Sequence, residues 1–155
     1  MPLFVVHEHH SKHLHYDFRL EMEGVLKSWA VPKGPSMNPK EKRLAIQVDD
    51  HTMEYGSYEG IIPEGHYGAG AVVIWDKGEY KLLGGGVDRG RIEFDLKGKK
   101  LRGRFVLARM SGKEKEWLLI KGTDKFSTAD FKIETALTPS TLKRLKEKIP
   151  PCEAS

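Results

Sequence analysis

From His13 to Glu21 the chain reads HLHYDFRLE, in which Leu14, Tyr16, Phe18 and Leu20 alternate with His15, Asp17 and Arg19. Side chains on a strand point to opposite faces with a period of two. The run therefore sends four apolar groups toward a core and lines the opposite face with an imidazole, a carboxylate and a guanidinium. Similar signals recur to about residue 121, punctuated by glycine turns. They predict strands at Leu3 to His7, Leu14 to Met22, Val25 to Val31, Lys42 to Asp49 and Glu116 to Lys121. Two hairpins are also expected, Ala71 to Asp76 with Glu79 to Leu83 around Lys77-Gly78, and Arg91 to Leu96 with Leu101 to Met110 around KGKK. So many short strands point to a mainly β fold, a compact closed or nearly closed antiparallel β barrel, because closure removes exposed edges. Short flanking helices and a C-terminal helix complete the expectation. Thr138 and Pro139 supply an N-cap and a first-turn proline, and Leu142, Leu145 and Ile149 then form an apolar stripe suited to a lid on the barrel.

At 155 residues, the chain is expected to form a single domain over 1–155, with 150–155 a flexible tail. No apolar run is long enough to span a membrane, and MPLFVVHEHH lacks the basic-then-apolar order of a signal peptide, so a cytoplasmic location is the default expectation. The single cysteine, Cys152, excludes an internal disulfide framework and any cysteine-rich zinc site. A metal would have to be held by histidines and carboxylates. The formal charge of +4 is compatible with a polyanionic partner and does not by itself identify one.

The polar row has that chemistry. A two-residue strand step can bring His15 and Asp17 to one point, and His9, upstream, can be a third ligand. Two imidazoles and a carboxylate leave coordination positions open, as a catalytic site requires. Arg19 on the same face offers a bidentate contact for phosphate. The bland alternative is hydrogen bonding on a solvated strand face. His7 shares the face of His9 and can support a ligand from behind, whereas His10 and His13 are expected at the surface. A second constellation lies in VDDHTMEYGSYEGIIPEGHYGAG. There Asp49 and Asp50 would favour the charged form of His51, a candidate proton donor or phosphate contact, and Tyr55 adds a hydroxyl. The alternative is a turn in which these side chains cap backbone groups, and His66 fits such a turn role. In SWAVPKGPS, Lys33 can join Arg19 and Arg43 in neutralising a bound phosphate.

HEHHSKHLHYDFRLEMEGVLKSWAVPKGPS, RLAIQVDDHTMEYGSYEGIIPEGHYGAG, WDKGEY and EWLLIKG together closely resemble the 3′-phosphoesterase module of DNA ligase D and its free-standing relatives. The resemblance runs from Phe4 to about Lys121. It implies a β barrel with flanking helices and a manganese-dependent enzyme acting on 3′ ends of a DNA or DNA-RNA primer-template. Such an enzyme removes a terminal ribonucleoside and then the remaining 3′-phosphate, leaving a 3′-hydroxyl for end joining. By matching position, the resemblance places metal on His9, His15 and Asp17, phosphate on Arg19 and His51, and an assisting role on Tyr55. Lys33, Arg43 and Asp49 also fall at family-like positions, while His7 and His66 stand where relatives often carry other residues. Implied partners are a separate ligase, a polymerase or primase and a Ku-type end-binding protein. Two competing readings follow from the residues alone. One is a non-haem Fe(II) oxygenase using the same His/Asp/His triad. The other is a non-catalytic single-strand-binding barrel that stacks bases on Trp29, Trp75 or Trp117, although their apolar strands favour core packing.

Overall fold

Alternation along the chain becomes a ring of strands in the computed structural model, which describes residues 1–151. The strands are β1 (Leu3–His10), β2 (Leu14–Met22), β3 (Val25–Val31), β4 (Arg43–His51), β5 (Gly60–Ile62), β6 (Gly70–Gly86), β7 (Arg91–Lys97), β8 (Arg102–Arg109) and β9 (Glu116–Lys121). Hydrogen-bonded neighbours run β1-β2-β3-β4-β9-β8-β7-β6, and β6 pairs back onto β1, closing an antiparallel barrel. Strand β5 pairs antiparallel with the first part of β6. Short 3₁₀ turns at Met53–Ser57 and Val87–Arg89 flank the barrel, and α1 (Pro139–Arg144) follows the last strand.

The inward positions make the core. Phe4 stacks with Phe18, Phe18 packs on Phe94, and Trp29 meets Trp117 edge to face at 5.5 Å. Trp29, Trp75 and Trp117 are 0, 4 and 0 % exposed, so the tryptophans offer no platform for bases, and the single-strand-binding reading built on them is overturned. Glu8 also points inward and is fully buried. Its carboxylate accepts from the backbone of Ala136 and Leu137, at 2.5 and 3.0 Å, tying the segment after β9 to the back of β1.

Three expectations are corrected. Lys77-Gly78 is no hairpin turn: β6 is continuous through it, with Gly78 opposite Phe4 and Lys77 opposite Val5. The glycine is needed because a Cβ there would overlap the Lys97 carbonyl oxygen of the adjacent β7–β8 turn. Strand β5 was not anticipated. The C-terminal helix starts as expected, with Thr138 accepting from Thr141 and Pro139 in the first turn, but ends at Arg144. Beyond it Lys146 and Lys148 exchange backbone hydrogen bonds with Ile61 on β5, an extended pairing incompatible with continued helix. Leu142 and Ile149 are left 45 and 48 % exposed, so no apolar lid forms. Of the expected tail, Pro150 is buried, and residues 152–155, with Cys152, lie outside the described residues. No described helix is long and apolar enough to cross a membrane.

Candidate metal centre

Strand register assembles the site on the outside of the barrel. His9 lies opposite His15, His7 opposite Asp17 and Val5 opposite Arg19 on β1 and β2, while Arg19 faces Ser28 across to β3. Residues directly opposite share a face, so one outward patch collects His7, His9, His15, Asp17, Arg19 and Ser28. His51 reaches it through a bulge. Ser28 pairs with Val48 and Leu26 with His51, so three residue steps on β4 match two on β3 and turn His51 to the same side. The Met53–Ser57 turn then folds over the patch, and Tyr55 and Tyr58 pack with Leu26, Ile62 and Val72 as a small second core.

His9, His15 and Asp17 present ligand atoms that all lie within 4.8 Å of one another. His9 Nδ1 and His15 Nε2 are 3.5 and 3.4 Å from Asp17 Oδ2. Their far nitrogens are held by backbone carbonyls: His9 Nε2 donates to Gly68 O at 2.6 Å and His15 Nδ1 to His13 O at 3.0 Å. These bonds direct the remaining nitrogen of each ring at the carboxylate, the second-layer arrangement that orients metal ligands. Gly68 can come this close because its backbone is left-handed (φ 77°) and a Cβ would already lie 3.1 Å from the His9 ring. Burial alone would raise the Asp17 carboxyl, but the contacts with His15 and His9 and the Arg19 charge hold it well below the usual carboxylate range. Burial opposes a charge on His15, yet Asp17 raises its pKa, so the point between them favours a positive charge. A proton or a divalent cation fits there, and the donor set suits the latter.

Arg19 is a buried cation, 1 % exposed. Its Nε donates to His7 Nδ1 at 2.9 Å, Nη1 donates to Ser28 Oγ at 2.9 Å, and Nη2 stands 3.5 Å from Asp17 Oδ2. His7 supports it as a neutral ring: Nε2 donates to Tyr58 O, while burial first and the Arg19 charge second push its pKa well below 6.5. Tyr55 lies beneath the guanidinium at 4.7 Å and touches the His7 and His51 rings at centroid distances of 5.1 and 4.5 Å. Its ring face thus contacts all three groups.

The expected charge on His51 is corrected. Burial and then Arg19 lower its pKa to about 4, leaving it neutral at pH 7. The Asp49 and Asp50 side chains are exposed, and Asp50 is engaged by Lys27 at 2.9 Å. From Asp49 it is the backbone carbonyl that approaches His51 Nδ1, at 3.0 Å, and Arg19 Nη1 approaches the same atom at 3.2 Å. Arg43 does not join the patch. It shares the inward face of Ala45 and meets Glu41 at 3.5 Å. Lys33 is exposed just beyond β3. His13 is exposed as expected, but His10 belongs to β1 and is held by Glu8 at 2.6 Å. His66 forms the anticipated turn with Pro63 and Ala69. Sequence reasoning missed Ser28, Tyr58 and Gly68. The alternation of Leu26, Ser28 and Ala30 opposite the polar row carried a signal for Ser28; the two carbonyl contacts left none.

Comparison with known proteins adds an independent line. A family model described as the DNA Ligase D 3′-phosphoesterase domain matches residues 7–109, a stretch that contains the whole patch. The chain is 50 % identical over 126 residues, 78 % of its length, to the multifunctional non-homologous end joining protein LigD of Pseudomonas aeruginosa. It is 47 % identical over 111 residues, 70 % of its length, to the multifunctional non-homologous end joining DNA repair protein LigD of Mycobacterium tuberculosis. With LigD of Mycolicibacterium smegmatis, identity is 43 % over 131 residues, 79 % of the chain. The chain spans 15 to 17 % of the length of these relatives. A barrel bearing this patch, matched by that family model and by relatives of this identity, belongs to the family of DNA ligase D 3′-phosphoesterase domains.

Proposed function

We propose that the chain is a divalent-metal-dependent phosphoesterase, with manganese as its cofactor, that processes the 3′ end of a primer strand. It removes a 3′-terminal ribonucleoside and then the 3′-phosphate, leaving a 3′-hydroxyl. The observation that carries this reading is the convergence of His9, His15 and Asp17 beside a buried Arg19. A Lewis acid and a guanidinium on one face are what charge stabilisation at a phosphate requires.

When bound by His9, His15 and Asp17, the cation supplies positive charge at a phosphate oxygen. The protein's own groups do the rest. Arg19, fixed by His7, Ser28 and Tyr55, holds a second oxygen without having to reorganise during the reaction. His51 is neutral before substrate arrives, and the phosphate's negative charge opposes the effect of Arg19, favouring proton uptake on this ring. As water attacks phosphorus, His51 then donates to the leaving oxygen, which is the 5′-oxygen of the released nucleoside in the first step and the 3′-oxygen of the strand in the second. Tyr55 assists by holding both rings in place, and Lys33 and Asp49 act from the exposed rim.

The 3′-hydroxyl product is what ligases and polymerases consume. DNA end joining, the process in the relatives' names, is the proposed setting, with a ligase, a polymerase or primase and a Ku-type end-binding protein as working partners. The test is incubation with manganese and a 5′-labelled primer-template ending in one ribonucleotide. A strand shortened by one nucleoside and ending in 3′-phosphate is expected, followed by conversion to 3′-hydroxyl. An unchanged strand, or processing undiminished by a chelator, contradicts the proposal. Turnover with manganese under strictly anaerobic conditions sets aside the oxygenase chemistry that the same triad permits.

A further inference from the structure

One residue before the carbonyl that holds His9 the chain carries a large aromatic ring that the chemistry above does not use. Tyr67 is 92 % exposed, the highest value among the exposed large hydrophobic side chains. Its neighbour Gly68 supplies the carbonyl that accepts from His9 Nε2 at 2.6 Å, so the ring projects from the backbone that orients a metal ligand. Consecutive Cα atoms are about 3.8 Å apart, so Tyr67 stands at the rim of the turn, one residue from the carbonyl that holds His9.

The turn carrying this ring is anchored. His66 donates its N–H to Pro63, and Ala69 donates to His66. Gly68 lies against the His9 ring, and a Cβ at Gly70 would overlap the His10 carbonyl oxygen, so the turn sits close against the end of β1 at His9 and His10. A pinned backbone that presents a large amphipathic ring loses little further entropy when a planar partner stacks on it.

We propose that Tyr67 is a substrate-binding residue on which the base of the 3′-terminal nucleoside stacks, positioning that nucleoside's phosphate over the metal cluster. The partner class is a nucleobase because the reaction proposed above brings a nucleoside to this rim, and every base presents a π face to such a ring irrespective of sequence. The inference rests on that reading of the site and adds how the strand end is gripped.

The experiment measures binding of the full chain, in chelator, to a primer-template whose terminal base is 2-aminopurine, alongside KM and kcat with manganese on the natural strand. Tyr67→Ala is expected to weaken binding and raise KM roughly tenfold with kcat little changed, while Tyr67→Phe and Tyr67→Trp retain both values. The fluorescence change of 2-aminopurine on binding is lost in Tyr67→Ala alone. On a primer with an abasic terminal nucleoside, wild type and Tyr67→Ala should bind alike. Unchanged affinity in Tyr67→Ala, a tenfold loss in Tyr67→Phe, or the same loss on the abasic primer overturns the platform. Wild-type chain that leaves every 3′ end intact but still shows ring-dependent binding contradicts the phosphoesterase reading and keeps the platform. Processing indifferent to Tyr67 does the reverse.

Discussion

The two faces of strand β2 are buried alike and built for opposite ends. Inward, Tyr16, Phe18 and Leu20 are 3, 0 and 0 % exposed; outward, Asp17 and Arg19 are 7 and 1 % exposed. Each inward side chain contributes about 1.5–3 kcal/mol by leaving water. Each outward one costs free energy unless its charge and hydrogen bonds are met inside the protein. They are met: Asp17 by His9, His15 and Arg19, and Arg19 by His7, Ser28 and the Tyr55 face. The difference teaches that one strand can stabilise the barrel with one face and hold preorganised charge on the other. Alternation reveals that two faces exist; it does not reveal that both are covered.

The comparison can be broken from either side. His15→Ala should reduce 3′-end processing by about a thousandfold or more, since a three-ligand set loses a member, while the melting temperature without metal moves little because His15 is only half-buried. Wild-type turnover in that variant would remove His15 from the site. On the inner face, Phe18→Ala should lower unfolding free energy by about 3–5 kcal/mol in urea titration, because Phe18 packs between Phe4 and Phe94. His7→Leu sharpens the contrast by affecting both properties. It strips Arg19 of its Nε acceptor and Tyr58 of its donor, and should cost about 1–3 kcal/mol together with part of the activity. Stability and rate both unchanged would show that Arg19 needs no support from behind.

The smallest expected effect is on pH. His51 has a pKa of about 4 in the folded chain against 6.5 as the ordinary value. Between those values the unfolded chain binds more protons, so stability falls as pH drops from 6.5 toward 4, and this group adds no dependence above that window. Urea midpoints at pH 5 should lie below those at pH 7.5, with a shallower difference in His51→Asn. Some slope should persist there, because the His7 pKa is lowered too. An identical slope in wild type and variant would contradict the assigned state of His51.

The strand parity of His15, Asp17 and Arg19 was legible because alternation is a local property, and the placement of His9 followed from pairing across a short turn. His51 was legible as a residue but not as a charge state. Its acidic neighbours in sequence point their carboxylates to solvent, while Arg19, distant in sequence, is at 3.2 Å. The bulge that turns His51 onto the outward patch depends on backbone register between strands and leaves no signature in the residues. Lys77-Gly78 looked like a turn because glycine serves both turns and close backbone approach. Lys97, which makes the approach, lies far along the chain. Arg43 was readable after all: Arg43, Ala45 and Gln47 alternate on one face, and an inward alanine puts the arginine on the side away from the candidate metal ligands. The early end of α1 was not readable, since it depends on pairing with the unanticipated β5.

The central claim is that His9, His15 and Asp17 share one divalent cation. Titration of manganese into the metal-free chain, followed by loss of the free-ion electron paramagnetic resonance signal, tests it without any substrate. One ion should bind per wild-type chain and none with comparable affinity in His9→Ala or His15→Ala. Manganese bound equally well by those variants, or not bound by the wild type, would contradict the account.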